Sequence, residues 1–157
     1  MRLQDRMIDV IEAAREAVFR YAFAVPEDRL EWKPLGAGQS VLRMARELAK
    51  TPDWAFWVLT NANPESPDDA SAQQKAEMES WKTIPDCDAA CQEKLVRVFD
   101  LYRSYSDEDL QRTKWLPFNG GRDHTYAELL DYPRWNFTYH LGQIAYIQTL
   151  FGDRGIY

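Results

Sequence analysis

Apolar residues recur at three- and four-residue steps in four separate stretches of this chain, and such a period admits packed helices and little else. In the first stretch Met7, Val10, Ile11, Ala14, Val18, Tyr21 and Val25 form the stripe, while Asp9, Glu12, Arg15 and Glu16 take the other side. The spacing predicts a helix over roughly 4–24, closed by Pro26, which cannot continue the ladder. Pro26 to Leu30 reads as a short turn leading to Trp32 and Pro34.

Ser40 follows a Gly-rich loop and can accept from the free amides of a second helix. Its stripe is Val41, Met44, Ala45, Leu48 and Ala49; Pro52 is expected to kink it before it continues through Trp54, Ala55, Val58 and Leu59. Asn61 to Ser71 is a polar, Pro-containing connection, and 73–82 a short helix. Thr83 and Asp86 form a capping box that opens the third long helix, to about Tyr105, with Cys87, Cys91, Leu95, Val98, Phe99 and Tyr102 inward. Ser106 to Asp109 starts another turn, and Trp115 to Arg122 makes an extended excursion with a tight turn. A second capping box, Thr125 and Glu128, opens a last helix over roughly 126–151 that bends at Pro133, just before Asn136.

Four long amphipathic helices with connections too long for simple hairpins imply one all-α domain over 1–157, a four-helix bundle with short extra helical turns. A chain of 157 residues can bury a core without covalent staples. Charges break every apolar run, so the protein is expected to be soluble and cytoplasmic, without a membrane partner. The net charge of −6 argues against nucleic acid, which needs clustered Lys and Arg. Two cysteines at helical spacing are expected to stay reduced.

On the last helix Asn136, His140 and Gln143 share one side, and His140 is one of two histidines. The Ser-started second helix, the long connection, and T-x-A-E-L-L followed by N-x-x-x-H-x-G-Q-I together resemble the DinB-like superfamily, in element order over essentially the whole chain. That resemblance implies a bundle binding a divalent metal through three histidines, one on the second helix and two at i, i+4 on the last, with several members acting as thiol-dependent transferases or isomerases. Residue by residue, His140 occupies the final histidine position, Asn136 stands where its partner would be, and Glu47 replaces the histidine of the second helix. Imidazole and carboxylate are good ligands for zinc, nickel or manganese, whereas an amide oxygen is a weak one.

The resemblance therefore implies a divalent-metal-dependent thiol transferase or isomerase acting on a small molecule, with Glu47, Asn136 and His140 around the metal and a low-molecular-weight thiol as cofactor. Gln143 would orient the imidazole and Tyr139 would shape the pocket. It also implies a homodimer. The alternative is a non-catalytic dimeric bundle in which the site is a polar cluster, Glu47 paired to His140 and Asn136 bridging them, serving structure or small-ligand binding. Asn136 has a second bland role, capping a carbonyl of Leu129 or Tyr132 near Pro133. Cys87, in the first turn of its helix, is a thiol-nucleophile candidate against an ordinary buried cysteine. His124, in a Gly-rich turn, is expected to be exposed. Trp54, Phe56, Trp57, Tyr139 and Tyr146 either shape a pocket or pack the bundle and a dimer interface.

Overall fold

A computed structural model describes residues 1–62 and 72–157. The polar connection expected over 61–71 lies almost wholly outside the described residues. Helices α1 (Leu3–Phe23), α2 (Val41–Thr60), α4 (Ile84–Ser104) and α6 (Tyr132–Leu150) form the bundle; α3 (Ala72–Ser80) and α5 (Tyr126–Leu130) are short. Helix α2 packs against α4 and α6, and α1 against the same two. The two helices first in sequence thus sit on a diagonal, which is why the connection between them is long. Leu42 N–H donates to the Leu30 carbonyl at 2.9 Å and pins that connection to the start of α2.

Helices α2, α4 and α5 begin where the sequence places their caps, and the apolar stripes face inward. Ser40 Oγ accepts from Arg43 N–H, and both capping boxes, Thr83 with Asp86 and Thr125 with Glu128, close reciprocally. Ile11, Val18, Ala45, Leu48, Val98, Tyr102, Phe137 and Ile144 are among the fully enclosed core residues. Lys50 and Lys94 both pair with Glu77, at 2.9 and 2.6 Å, and with Asp53, clamping α3 onto α2 and α4. None of the described helices is long and apolar enough to cross a membrane.

Two local departures from the sequence expectations matter for the site. The last helix is two: α5 ends at Leu130, Asp131 intervenes, and α6 restarts with Pro133 in its first turn. Proline without an N–H is tolerated where that donor would be orphaned anyway, so the chain begins a new helix at Pro133 instead of bending an old one. The carbonyl of Leu130 receives the buried Tyr102 hydroxyl at 3.0 Å. The excursion after α4 is a hairpin, β1 (Thr113–Leu116) antiparallel to β2 (Arg122–Thr125), with Lys114 opposite His124. Helix α2 continues across Pro52, which leaves the Leu48 carbonyl without its usual donor. The Cys91 thiol of α4 approaches that oxygen at 3.5 Å.

Candidate functional site

Residues 47, 51 and 54 lie on one face of α2, and residues 132, 136 and 140 on one face of α6, because both sets step by three or four. The two helices run antiparallel with these faces together, giving three rungs. Glu47 Oε1 lies 3.2 Å from His140 Nε2. Asn136 Nδ2 donates to Thr51 Oγ1 at 2.7 Å. The rings of Trp54 and Tyr132 sit 4.0 Å apart, centroid to centroid.

The first rung holds the titratable chemistry. His140 is buried, its side chain 3% exposed, whereas that of Glu47 is 46% exposed. Gln143 Oε1 stands 2.7 Å from the other ring nitrogen, Nδ1. The imidazole therefore reaches Glu47 through Nε2 and meets the Gln143 amide at Nδ1, as its i, i+3 position allows. The hydrogen bond to His140 holds the Glu47 carboxyl below its ordinary range, against burial, with the charges of His140 and Arg43 adding to the effect. A buried ring thus presents a carboxylate to a cleft of about 840 Å3 that Trp54 and Trp57 also line.

The second rung corrects two expectations. Asn136 neither bridges Glu47 and His140 nor caps a carbonyl beside Pro133; its amide crosses to Thr51, a residue the sequence reading passed over. The physical reason is that both side chains are buried, 5% and 3% exposed, and a buried amide must find a partner on the facing helix. Thr51 Oγ1 in turn donates to the Glu47 carbonyl at 3.3 Å. The available signal was that Thr51 follows Glu47 by four residues just as Asn136 precedes His140 by four.

The third rung belongs to an aromatic row. Phe118 and Trp54 centroids lie 5.9 Å apart, Tyr132 and Trp135 6.2 Å, Trp135 and Tyr139 5.5 Å, and Tyr139 meets the His140 ring edge-on at 5.3 Å. Burial, and secondarily the charge of Glu47, push the Tyr132 phenol up to about 12, so it stays a neutral donor. Half-buried His124, contrary to its expected exposure, lines a groove of about 610 Å3 with Trp54 and Tyr132. Folding of the hairpin over α2 encloses it. Cys87 is fully buried and its thiol is pushed up to about 12 by desolvation. A thiol so protonated is a core group, not an activated nucleophile.

The donor set can be tested against a metal. Among the described residues no three His, Cys, Asp or Glu side chains come together. Glu47 and His140 supply one carboxylate and one imidazole, both already joined to each other, and Asn136 is committed to Thr51. Such a pair does not fit a tightly held divalent ion, which takes three or more protein ligands.

No protein-family model matches the sequence, and no curated protein matches it. Solved structures do. YfiT from Bacillus subtilis, described as a probable metal-dependent hydrolase with an unusual four-helix bundle topology, aligns at 19% identity and TM-score 0.74 over 96% of this chain and 88% of its own. A mycothiol-dependent maleylpyruvate isomerase aligns at 14% identity and TM-score 0.64 over 92% of this chain, which spans 61% of the isomerase. The colibactin self-resistance protein ClbS, solved with double-stranded DNA, aligns at 12% identity and TM-score 0.66 over 92% of this chain and 94% of its own. The chain shares the four-helix-bundle fold of these structures.

Proposed function

We propose that this chain is a small-molecule-binding protein whose centre, at the position where the DinB-like resemblance implies a metal, is a metal-free Glu47–His140 pair. One observation carries the reading: a buried imidazole, fixed at Nδ1 by Gln143, holds an ionised Glu47 at the mouth of an aromatic-lined cleft. That arrangement offers a bound molecule a fixed negative charge and a proton acceptor. His140 acts as a positioning residue behind Glu47. The hydrolase and isomerase likenesses support a small organic molecule as the ligand, and the isomerase likeness supports a low-molecular-weight thiol as its co-substrate.

Homodimer formation stays part of the proposal, supported by Tyr146 and Leu150, which stand exposed along α6 beyond the site. The test is elemental analysis of tag-free protein and of His140→Ala after incubation with zinc, nickel or manganese and dialysis. The reading expects no stoichiometric ion in either protein. One equivalent retained by the wild type and lost from the variant would overturn it. A ligand-observed NMR screen of small organic molecules supplies the second arm: hits that weaken in Glu47→Gln support the cleft as the binding site, and hits indifferent to that change count against it.

A further inference from the structure

We propose that the groove between the hairpin and the α2/α6 seam is a binding site for an organic cation, an alkyl- or arylammonium group carried on an apolar body. The groove is distinct from the cleft that Glu47 opens on, although Trp54 forms a wall of both. The inference stands whether or not the Glu47–His140 pair acts on anything.

The argument begins with aromatic faces. Phe118, Trp54, Tyr132 and Trp135 line the groove from three elements of the fold, in a row of rings 4.0 to 6.2 Å apart. A ring's negative face attracts a cation, more strongly as water is excluded. This chain covers such faces with its own cations elsewhere: Arg29 over Phe151, Lys94 over Trp81, Arg97 over Phe56, and Arg112 with Lys114 over Tyr126. Among the described residues no Lys or Arg is placed in that way over Trp54, Tyr132 or Trp135. Trp135 stacks with Tyr132 and Tyr139 and is still 54% exposed, so a ligand in the groove reaches the exposed part of its ring.

Electrostatics disfavour an anionic occupant. The groove wall carries two carboxylates, Glu128 and Asp131, each with an arginine partner: Arg122 on Glu128, and Arg134 on Asp131 through two bonds of 2.5 and 2.6 Å. Arg122 is spent on Glu128 Oε1 at 3.0 Å and on the Asp123 carbonyl at 2.9 Å, so it is not free for an anionic ligand. The pairing with Arg122 and the Thr125 amide hold Glu128 at about 2, and it stays charged across the physiological range. A volume of about 610 Å3 lies within the usual range for a small-molecule pocket.

The experiment uses the intact protein and three probes: benzyltrimethylammonium, choline, and 3,3-dimethylbutan-1-ol, the uncharged carbon isostere of choline. Binding is followed by calorimetry and by the indole N–H signals in two-dimensional NMR. Cation–π recognition in a partly dry groove predicts choline binding about tenfold tighter than its isostere. Benzyltrimethylammonium should bind tighter still and shift the Trp135 indole. Trp135→Leu, a substitution at an exposed site that keeps apolar bulk, should weaken both cations about tenfold, and Trp135→Phe should retain most of the affinity. Equal binding of choline and its isostere, cation binding unchanged in Trp135→Leu, or no binding by either cation would each overturn the proposal. Glu47→Gln, which tests the other cleft, leaves Trp135 intact, so failure of the two readings is separable.

Discussion

Replacing Thr51 by Val and Asn136 by Leu, singly and together, tests the register of the α2/α6 seam. Thr51→Val keeps shape but removes the acceptor of the 2.7 Å bond, leaving Asn136 Nδ2 enclosed without a partner. An orphaned buried donor costs about 1–3 kcal/mol. Asn136→Leu is milder, because Thr51 Oγ1 still donates to the Glu47 carbonyl; the loss of one bond costs about 1 kcal/mol. In the double variant no polar group is stranded, so its total should fall below the sum of the singles by about 1–2 kcal/mol. Urea unfolding followed by far-ultraviolet circular dichroism measures all four proteins, and equal slopes confirm that the denatured state is unchanged. Near the thermal midpoint each kcal/mol corresponds to about 2–4 °C. Single effects that add within about 0.5 kcal/mol would mean that the two side chains do not meet, and the rung assignment would fall.

Other consequences follow from the same geometry. Glu47 is held below its ordinary 4.5 in the fold, so its contribution to stability is complete above that value and is lost as pH falls through the depressed folded one. Glu47→Gln should flatten the acid limb of a pH–stability curve, modestly, because the carboxylate is half exposed and screened; a curve of unchanged steepness would refute the pairing. Burial that raises both cysteine thiols predicts sluggish iodoacetamide labelling of the native protein at neutral pH and fast labelling in urea, and rapid native labelling would contradict it. Cys91→Ala strips the Leu48 carbonyl of its thiol donor and should cost about 1–3 kcal/mol, more than Cys87→Ala; calorimetric melting that ranks them in the reverse order would remove the thiol from that role.

Helices α2, α4 and α5 were legible at their starts because each carries its own signal: Ser40, Thr83 and Thr125 cap where the sequence places them. Glu47, His140 and Gln143 were named from a resemblance and do stand together. What escaped was everything set by one helix's register against another. The four-residue steps from Glu47 to Thr51 and from Asn136 to His140 match, but they place Asn136 opposite Thr51 only once Glu47 and His140 are in register, and that depends on how far α6 slides along α2, which packing of the whole bundle decides. The two helices in place of one around Pro133 were missed for a related reason: a proline fits a bend or a fresh start equally well, and the Tyr102 hydroxyl that donates to the Leu130 carbonyl comes from another helix. The hairpin pairing and the aromatic row that it helps enclose are likewise long-range.

The three rungs between α2 and α6 also bear on how the centre could be re-engineered. Positions 47, 136 and 140 face one seam, and the residues there fasten it, Glu47 to His140 and Asn136 to Thr51. Glu47→His together with Asn136→His would place three imidazoles at that seam, two substitutions from the chain as it is, and would give up the amide bond to Thr51. Chemistry and fastening share the same side chains here, so an exchange at the centre is also a change in how the two helices are held.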